Sequence, residues 1–260
     1  MAAQPDDAPA QALPPGPRPA TNRRLWVVVG IVAALLAVTA LVVVIDWMTG
    51  DDGVDRGRDR VVSGPRDGRD RATFALLDGT KSVTVRTRDL GDRLYRVETP
   101  PGGARVPRVA VVGDEVKLGF GDSGRDGVAA TDVQLSSAVR WQIRVLAGAA
   151  EQVIDLTGGK VAGVELAGGA TRIELTLPPP EGTTTVRMSG GVGQWAVHQL
   201  GAAPVRVRVG SGAATVTVDA AQHNGVSGGT VFTPAGWDAA RNRVDIDAVA
   251  GMSALVVDRR

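Results

Sequence analysis

Residues 164–175 read VELAGGATRIEL and contain the pattern that decides the fold. Val164 and Leu166 alternate with polar or small residues, two glycines follow, and Ile173 and Leu175 restart the alternation. Alternation with a period of two is typical of a β-strand with one buried face, and paired glycines tolerate tight bends between strands. The stretch therefore predicts one strand, a glycine turn and a second strand.

The same spacing recurs along the C-terminal half of the chain. Apolar residues that stand 11 apart, with one interval of ten, form a ladder. Its members are Val153, Val164, Leu175, Val186, Val197, Val207 and Val218 and, after an insertion at 221–243, Ile246 and Val257. Each rung predicts one strand plus one turn, and we expect all of these residues to face the core.

Two rungs make about 22 residues, the length of one coil in a small β-solenoid, whose coils bury their apolar faces by stacking on neighbours. An antiparallel meander folded into a sandwich produces the same spacing. Pro178, Pro179 and Pro180 predict a stiff corner in either arrangement. We favour an all-β, glycine-punctuated, solenoid-like two-sheet repeat domain over residues 73–260, with a β-sandwich as the alternative.

Glycine-centred strand pairs recur in three segments: VELAGGATRIEL, RMSGGVGQWAV at 187–197 and VDIDAVAGMSALVVD at 244–258. In these segments, within about 150–260, the chain resembles the adhesin-like β-repeat domains of bacterial envelope proteins. Its Ala-, Gly- and Val-rich composition favours an actinobacterial source. The resemblance implies a β-repeat domain at the cell envelope and brings no catalytic residues. Related repeats occur in membrane proteins of the cell-wall-antibiotic stress response.

A run of 21 residues without an ionisable side chain, 25–45, reads LWVVVGIVAALLAVTALVVVI. As an α-helix it would be about 31 Å long, which matches the hydrocarbon thickness of a bilayer. Trp26 and Trp47 flank the run where indole rings prefer the lipid headgroups, and Arg23 and Arg24 precede it. We expect one transmembrane helix, an uncleaved signal anchor in the plasma membrane, with the amino terminus in the cytoplasm and the β-domain outside.

The segments in and around this run add three expectations. Gly30 and Ala34 are four apart, which predicts a weak homodimer through the helix or simply reflects alanine-rich composition. Residues 1–24 contain many prolines and few large apolar residues, so we expect a disordered cytoplasmic tail. Residues 46–72 are rich in Gly, Asp and Arg and predict a solvated linker.

The chemistry available to the chain is narrow. It has no cysteine, two histidines and a net charge of +1, which excludes thiol chemistry and disulfides and argues against nucleic-acid binding. His198 lies on the opposite side of the alternation from Trp195 and Val197, so we expect it to face solvent. No metal-ligand spacing, phosphate-binding loop or nucleophile motif occurs in the sequence. We therefore expect no enzymatic activity, no cofactor and no metal site.

The insertion at 221–243 is the main candidate for a functional surface, because it interrupts the ladder. It carries His223, which we expect in a loop, together with Phe232 and Trp237. Loops on a rigid scaffold often carry binding residues. The alternative is that Phe232 and Trp237 cap the open end of the solenoid.

A non-enzymatic scaffold or binding module of the cell envelope is predicted by three features together: the expected transmembrane helix, the β-repeat and the lack of catalytic motifs. We expect its partner to be an envelope polymer or a membrane protein. The alternative is an accessory regulator of an envelope-stress signalling partner.

Overall fold

Short apolar strands organise residues 60–260, the part of the chain that the computed structural model describes. These residues form nineteen strands and no helix. In chain order the strands are β1 (Val61–Pro65), β2 (Arg71–Leu76), β3 (Thr80–Arg88), β4 (Arg93–Glu98), β5 (Arg105–Val112), β6 (Glu115–Asp122), β7 (Ala130–Ser136), β8 (Arg140–Val145), β9 (Ala149–Asp155), β10 (Lys160–Leu166), β11 (Ala170–Leu177), β12 (Thr183–Met188), β13 (Val192–Gln199), β14 (Val205–Val209), β15 (Ala213–Val218), β16 (Ala221–Val226), β17 (Thr230–Phe232), β18 (Arg243–Ala248) and β19 (Met252–Arg259).

The strands build two mixed sheets. Sheet A has the order β1-β4-β7-β3-β9-β11-β13-β19-β15-β16, and sheet B has the order β17-β14-β18-β12-β10-β8-β2-β6-β5. The interior strands of both sheets pair in parallel, whereas the outermost pairs β1-β4, β4-β7 and β15-β16 in sheet A and β5-β6 and β14-β17 in sheet B are antiparallel. Antiparallel strands thus close both ends of a parallel stack.

Each coil of the stack gives one strand to each sheet. In spatial order the coils are β6-β7, β2-β3, β8-β9, β10-β11, β12-β13, β18-β19 and β14-β15. The spatial order of the coils differs from their order along the chain in two places. The coil β6-β7 stacks outside β2-β3, and the C-terminal coil β18-β19 lies between β12-β13 and β14-β15. The last residues of the chain are an internal part of the solenoid.

The core consists of apolar rows that run across the coils, because in-register parallel pairing places like positions above one another. In sheet B one fully buried row contains Phe74, Ile143, Val164, Val186, Ile246 and Val207. The facing row in sheet A contains Val85, Ile154, Leu175, Val197 and Val257. Burying a Val, Leu, Ile or Phe side chain contributes roughly 1.5–3 kcal/mol, so these rows hold the stack together.

The parallel pairing confirms the solenoid-like two-sheet prediction and rules out the antiparallel sandwich for the interior. Val164 lies opposite Val186, and Leu175 lies opposite Val197, so one coil takes 22 residues as predicted. One rung of the ladder is wrong: Val153 is 37% exposed, and Ile154 is the buried residue opposite Leu175. The stacked residues Ile154 and Leu175 are 21 apart, so a strict count of 22 selects the wrong neighbour.

The predicted linker at 46–72 is wrong in its second half. Strand β1 pairs with β4, and β2 begins at Arg71, inside the predicted linker. Strand β1 is the edge strand of sheet A, in which Val62 is half-buried against the core and Gly64 is buried, while the other three residues are exposed. Backbone pairing with β4 and the partial burial of Val62 therefore hold this strand in place.

The predicted tail and transmembrane helix, residues 1–24 and 25–45, lie outside the described residues. Within residues 60–260 no helix has the length and apolar character needed to cross a membrane.

Candidate functional site

Two of the rings expected in the insertion meet at the end of the solenoid. His223 lies opposite Val216, and Phe232 lies opposite Val207. Because directly opposite residues point to the same side of a sheet, the two rings lie on the same side of their strands as the buried valines, where His223 is exposed and Phe232 is half-buried. Their centroids are 4.7 Å apart. The loop expected for His223 is wrong, because His223 belongs to strand β16 and pairs with β15. The sequence AQHNGV of this strand has no apolar–polar alternation that would predict the pairing.

Trp237 lies elsewhere, beside the outer face of sheet B. Its side chain is 5% exposed, and its Nε1–H donates to the carbonyl oxygen of Val244 at 3.1 Å. The guanidinium carbons of Arg206 and Arg243 lie 3.5 and 4.2 Å from the ring centroid. Arg243 also donates to the carbonyl oxygens of Trp237 and Asp238. These cation–π contacts and hydrogen bonds hold the segment after β17 against the sheet.

A buried ion cluster fixes the arginine beneath the indole. Asp245 is 7% exposed and accepts two hydrogen bonds from Arg206, at 3.1 and 2.8 Å, and one from Arg208 at 2.9 Å. The hydrogen bond to Asp245 raises the pKa of the Arg206 guanidinium above its ordinary value. The cluster is a satisfied structural site, because both carboxylate oxygens of Asp245 are engaged by the two arginines, and this leaves Asp245 unavailable to a ligand.

Truncating the indole is expected to destabilise the domain. We expect Trp237→Ala to lower the free energy of unfolding by about 2–4 kcal/mol, because it removes a packed ring and two cation–π contacts. Trp237→Phe, which keeps a ring and loses the hydrogen bond to Val244, should cost about 1 kcal/mol. Val231→Ala, an exposed apolar truncation in the same segment, is the control and should change stability by less than about 0.5 kcal/mol. Chemical denaturation of the three variants checks this; an unchanged midpoint for Trp237→Ala would favour a binding role.

His198 is buried, at 7% exposed, so the expected solvent-facing position is wrong. Its Nδ1 lies 2.9 Å from both carboxylate oxygens of Asp258, and its Nε2 lies 3.4 Å from Nη2 of Arg260. The alternation was interpreted correctly, since Trp195 and Val197 do point inward. However, the C-terminal strand β19 lies directly beside β13 and covers the imidazole. The contact ties the end of the chain to the middle of sheet A.

The outer face of sheet B carries rows of side chains that cross the strands. In one row opposite charges alternate between neighbouring strands: Arg144, Glu165, Arg187 and Asp247. Arg144 and Glu165 form an ion pair at 3.0 Å, and Arg187 pairs with Asp247. This alternating row is neutralised within itself.

A second row on the same face has one sign only. Arg71 lies opposite Arg140, and Arg140 lies opposite Lys160, on the adjacent strands β2, β8 and β10. We call Arg71, Arg140 and Lys160 the cationic row. Arg140 is paired with Glu181 at 3.2 Å. In the described part of the chain, the side chains of Arg71 and Lys160 form neither an ion pair nor a hydrogen bond.

Arg71 and Arg140 of the cationic row line a groove of about 440 Å³, and Lys160 lies opposite Arg140, outside the lining. The residues that line it are Arg71, Ala72, Thr73, Asp114, Arg140, Gln142 and Ala162. Strand β10 bulges at Ala162, where its pairing with β8 shifts register. At Gly163 an added Cβ would lie 2.8 Å from Oε1 of Gln142, so the missing side chain gives the amide room to lie over the backbone. The groove therefore offers two guanidinium groups, a hydroxyl, an amide and the carboxylate of Asp114 to solvent.

The sequence interpretation missed this groove. Arg71 and Arg140 are 69 residues apart, and an arginine at the start of a strand is ordinarily a solvated position. Only the parallel register places the two guanidinium groups side by side. No local signal could have identified the row, although the alternation does assign each of these side chains to an outer face.

The remaining expectations concern metal ions and the membrane interface. Residues 60–260 contain no group of three or more His, Asp or Glu side chains arranged to hold a metal ion. The predicted membrane-interface residues Trp26, Trp47, Arg23 and Arg24 precede residue 60, so their role stays a prediction.

Comparisons with known proteins support the resemblance to adhesin-like β-repeats. Residues 112–198, a third of the chain, match the family model described as the N-terminal domain of toast_rack, a domain of unknown function. The crystal structure of a candidate cell adhesion protein from Clostridium sporogenes superposes with a TM-score of 0.55 at 12% identity, covering 77% of this chain and 98% of that one. No curated protein matches the chain. The chain thus shares an all-β, solenoid-like fold with these proteins, and the family match begins and ends earlier than the segment 150–260 that carries the sequence resemblance.

Proposed function

We propose that this protein is a membrane-anchored, extracytoplasmic and non-enzymatic β-repeat module that binds a polymer of the cell envelope. The observation that carries the proposal is the groove beside the cationic row, a solvent-open recess on a sheet of parallel strands. Sheets packed face to face are rigid platforms, so the groove is formed before a ligand arrives and little ordering accompanies binding. The likeness to a candidate cell adhesion protein supports an envelope location.

The side chains at the groove support binding without catalysis. Arginine donates hydrogen bonds, and threonine and glutamine donate and accept them, without exchanging protons near neutral pH. The carboxylate at the groove, Asp114, lies 3.5 Å from Nε of Arg69. Among the described residues that line the groove there is no second carboxylate and no histidine that could form an acid–base pair with Asp114.

Sedimentation with purified cell-wall sacculi tests the proposal. We expect the full chain, in a neutral detergent, to co-sediment with sacculi and to be released as the salt concentration rises, because exposed charges are screened by salt. In the same cells a reporter that requires export should be active when fused after Arg260, and one that requires the cytosol when fused before Met1. A chain that stays in the supernatant at every salt concentration, or the reverse reporter pattern, contradicts the proposal.

One observation favours the alternative of an accessory regulator that engages a membrane protein. Strand β5 ends sheet B, and Val111 and Val112 on it are exposed. An open apolar edge is a template for an added strand from a partner. Cross-linking in intact cells separates the two functions: capture of a membrane protein that Val111→Lys abolishes, without sacculus binding, would favour the regulator.

A further inference from the structure

We infer that the groove on the outer face of sheet B binds an acidic polysaccharide, with Arg71, Arg140 and Lys160 holding its carboxylates. This inference rests on the proposed function and names the site and the class of polymer.

The cationic row is unusual on its own face. Adjacent strands are about 4.8 Å apart, and like charges directly opposite one another destabilise a sheet. Arg71, Arg140 and Lys160 occupy three such neighbouring positions and have one acidic partner, Glu181, among the described residues. A ligand with negative charges would relieve this repulsion.

The alternating row provides the internal comparison. It crosses the same strands β8 and β10, yet there Arg144 lies opposite Glu165 and pairs with it at 3.0 Å. The fold can therefore neutralise a cation on β8 with an acid on β10. Opposite Arg140, however, β10 carries Lys160 and not an acidic residue. This choice indicates a requirement other than stability.

The groove beside the row fits a hydroxyl-bearing chain. Thr73 and Gln142 lie opposite each other on β2 and β8, two residues along from Arg71 and Arg140 and on the same face of the sheet. Both are half-buried, and neither side chain has a hydrogen-bond partner in residues 60–260. Together with Gly163, which leaves room for the Gln142 amide, they form a floor of uncharged donors and acceptors. Sugar hydroxyls match such groups.

The shape of the groove favours a polymer chain over a lipid surface. A recess of about 440 Å³ admits a narrow chain, whereas a flat bilayer would contact only its rim. The row crosses the strands, so Arg71 and Lys160 are two strand spacings, about 9.6 Å, apart, and an extended chain can reach both. The planar fork of an arginine guanidinium fits a carboxylate with two parallel hydrogen bonds.

Calorimetric titration of the full chain in neutral detergent tests the inference. The probe is oligogalacturonate, and its methyl ester, which has the same backbone without charge, is the ligand control. The double variant Arg71→Gln with Lys160→Gln removes the two unpaired cations at the row. The matched variant Arg93→Gln with Lys81→Gln removes one arginine and one lysine from exposed positions on sheet A. Thermal unfolding of both variants confirms that each is folded.

We expect the row variant to weaken oligogalacturonate binding by about tenfold or more, and the matched variant by less than about threefold. The methyl ester should bind at least tenfold more weakly than the acid. An equal loss of oligogalacturonate affinity in the two variants would overturn the inference. So would binding of poly(glycerol phosphate) or of anionic lipid vesicles that is as tight as, or tighter than, binding of oligogalacturonate. If sacculi still sediment the row variant as well as the wild type, the groove assignment fails while the proposed function stands.

Discussion

Removing residues 243–260 is expected to abolish cooperative folding of the C-terminal half of the domain. These residues form the coil β18-β19, which lies between β12-β13 and β14-β15. The apolar side chains that would lose their buried positions are Val244, Ile246, Met252, Leu255 and Val257. At about 2 kcal/mol each, their loss approaches 10 kcal/mol, which is comparable to the whole stability of a typical domain.

Denaturation followed by circular dichroism, together with hydrogen exchange of β14 and β15, measures this effect. The matched control is addition of a synthetic peptide of residues 243–260 to the truncated chain, which should restore protection in the neighbouring coils. In a solenoid built strictly in chain order, the same truncation would only shorten the stack. A truncated chain that keeps its melting temperature would therefore contradict the coil order described above.

The period of the solenoid could be predicted because it is local. Val164, Leu175, Val186 and Val197 repeat within single coils, and parallel stacking at constant register requires that repeat. The order of the coils could not be predicted, since each presents nearly the same row of Val, Ile and Leu to its neighbours. Val186 lies opposite Ile246, 60 residues away, and nothing in either residue identifies the other.

The candidate site could not be predicted either, because it also depends on contacts between distant strands. The interpretation of the sequence selected His223, Phe232 and Trp237 because the insertion that carries them interrupts the ladder. The structure places the first two at the end of the solenoid and Trp237 against Arg206, with no shared cleft. The interruption identified the strands that close the solenoid and a packed indole, whereas a same-sign row depends on pairing between distant strands and leaves no mark in the sequence.

The largest expected effect of a single substitution is at the inner row of sheet A. Val197 is 0% exposed and stacks between Leu175 and Val257. Val197→Asp places a carboxylate in an apolar row without a partner, at a cost of roughly 4 kcal/mol or more, so most of the chain should be unfolded or aggregated at 37 °C. Gln194→Asp on the same strand is the control: its side chain is exposed and already bonds to Arg172, so it should stay within about 0.5 kcal/mol of the wild type. Equal melting temperatures for the two variants would show that Val197 faces water.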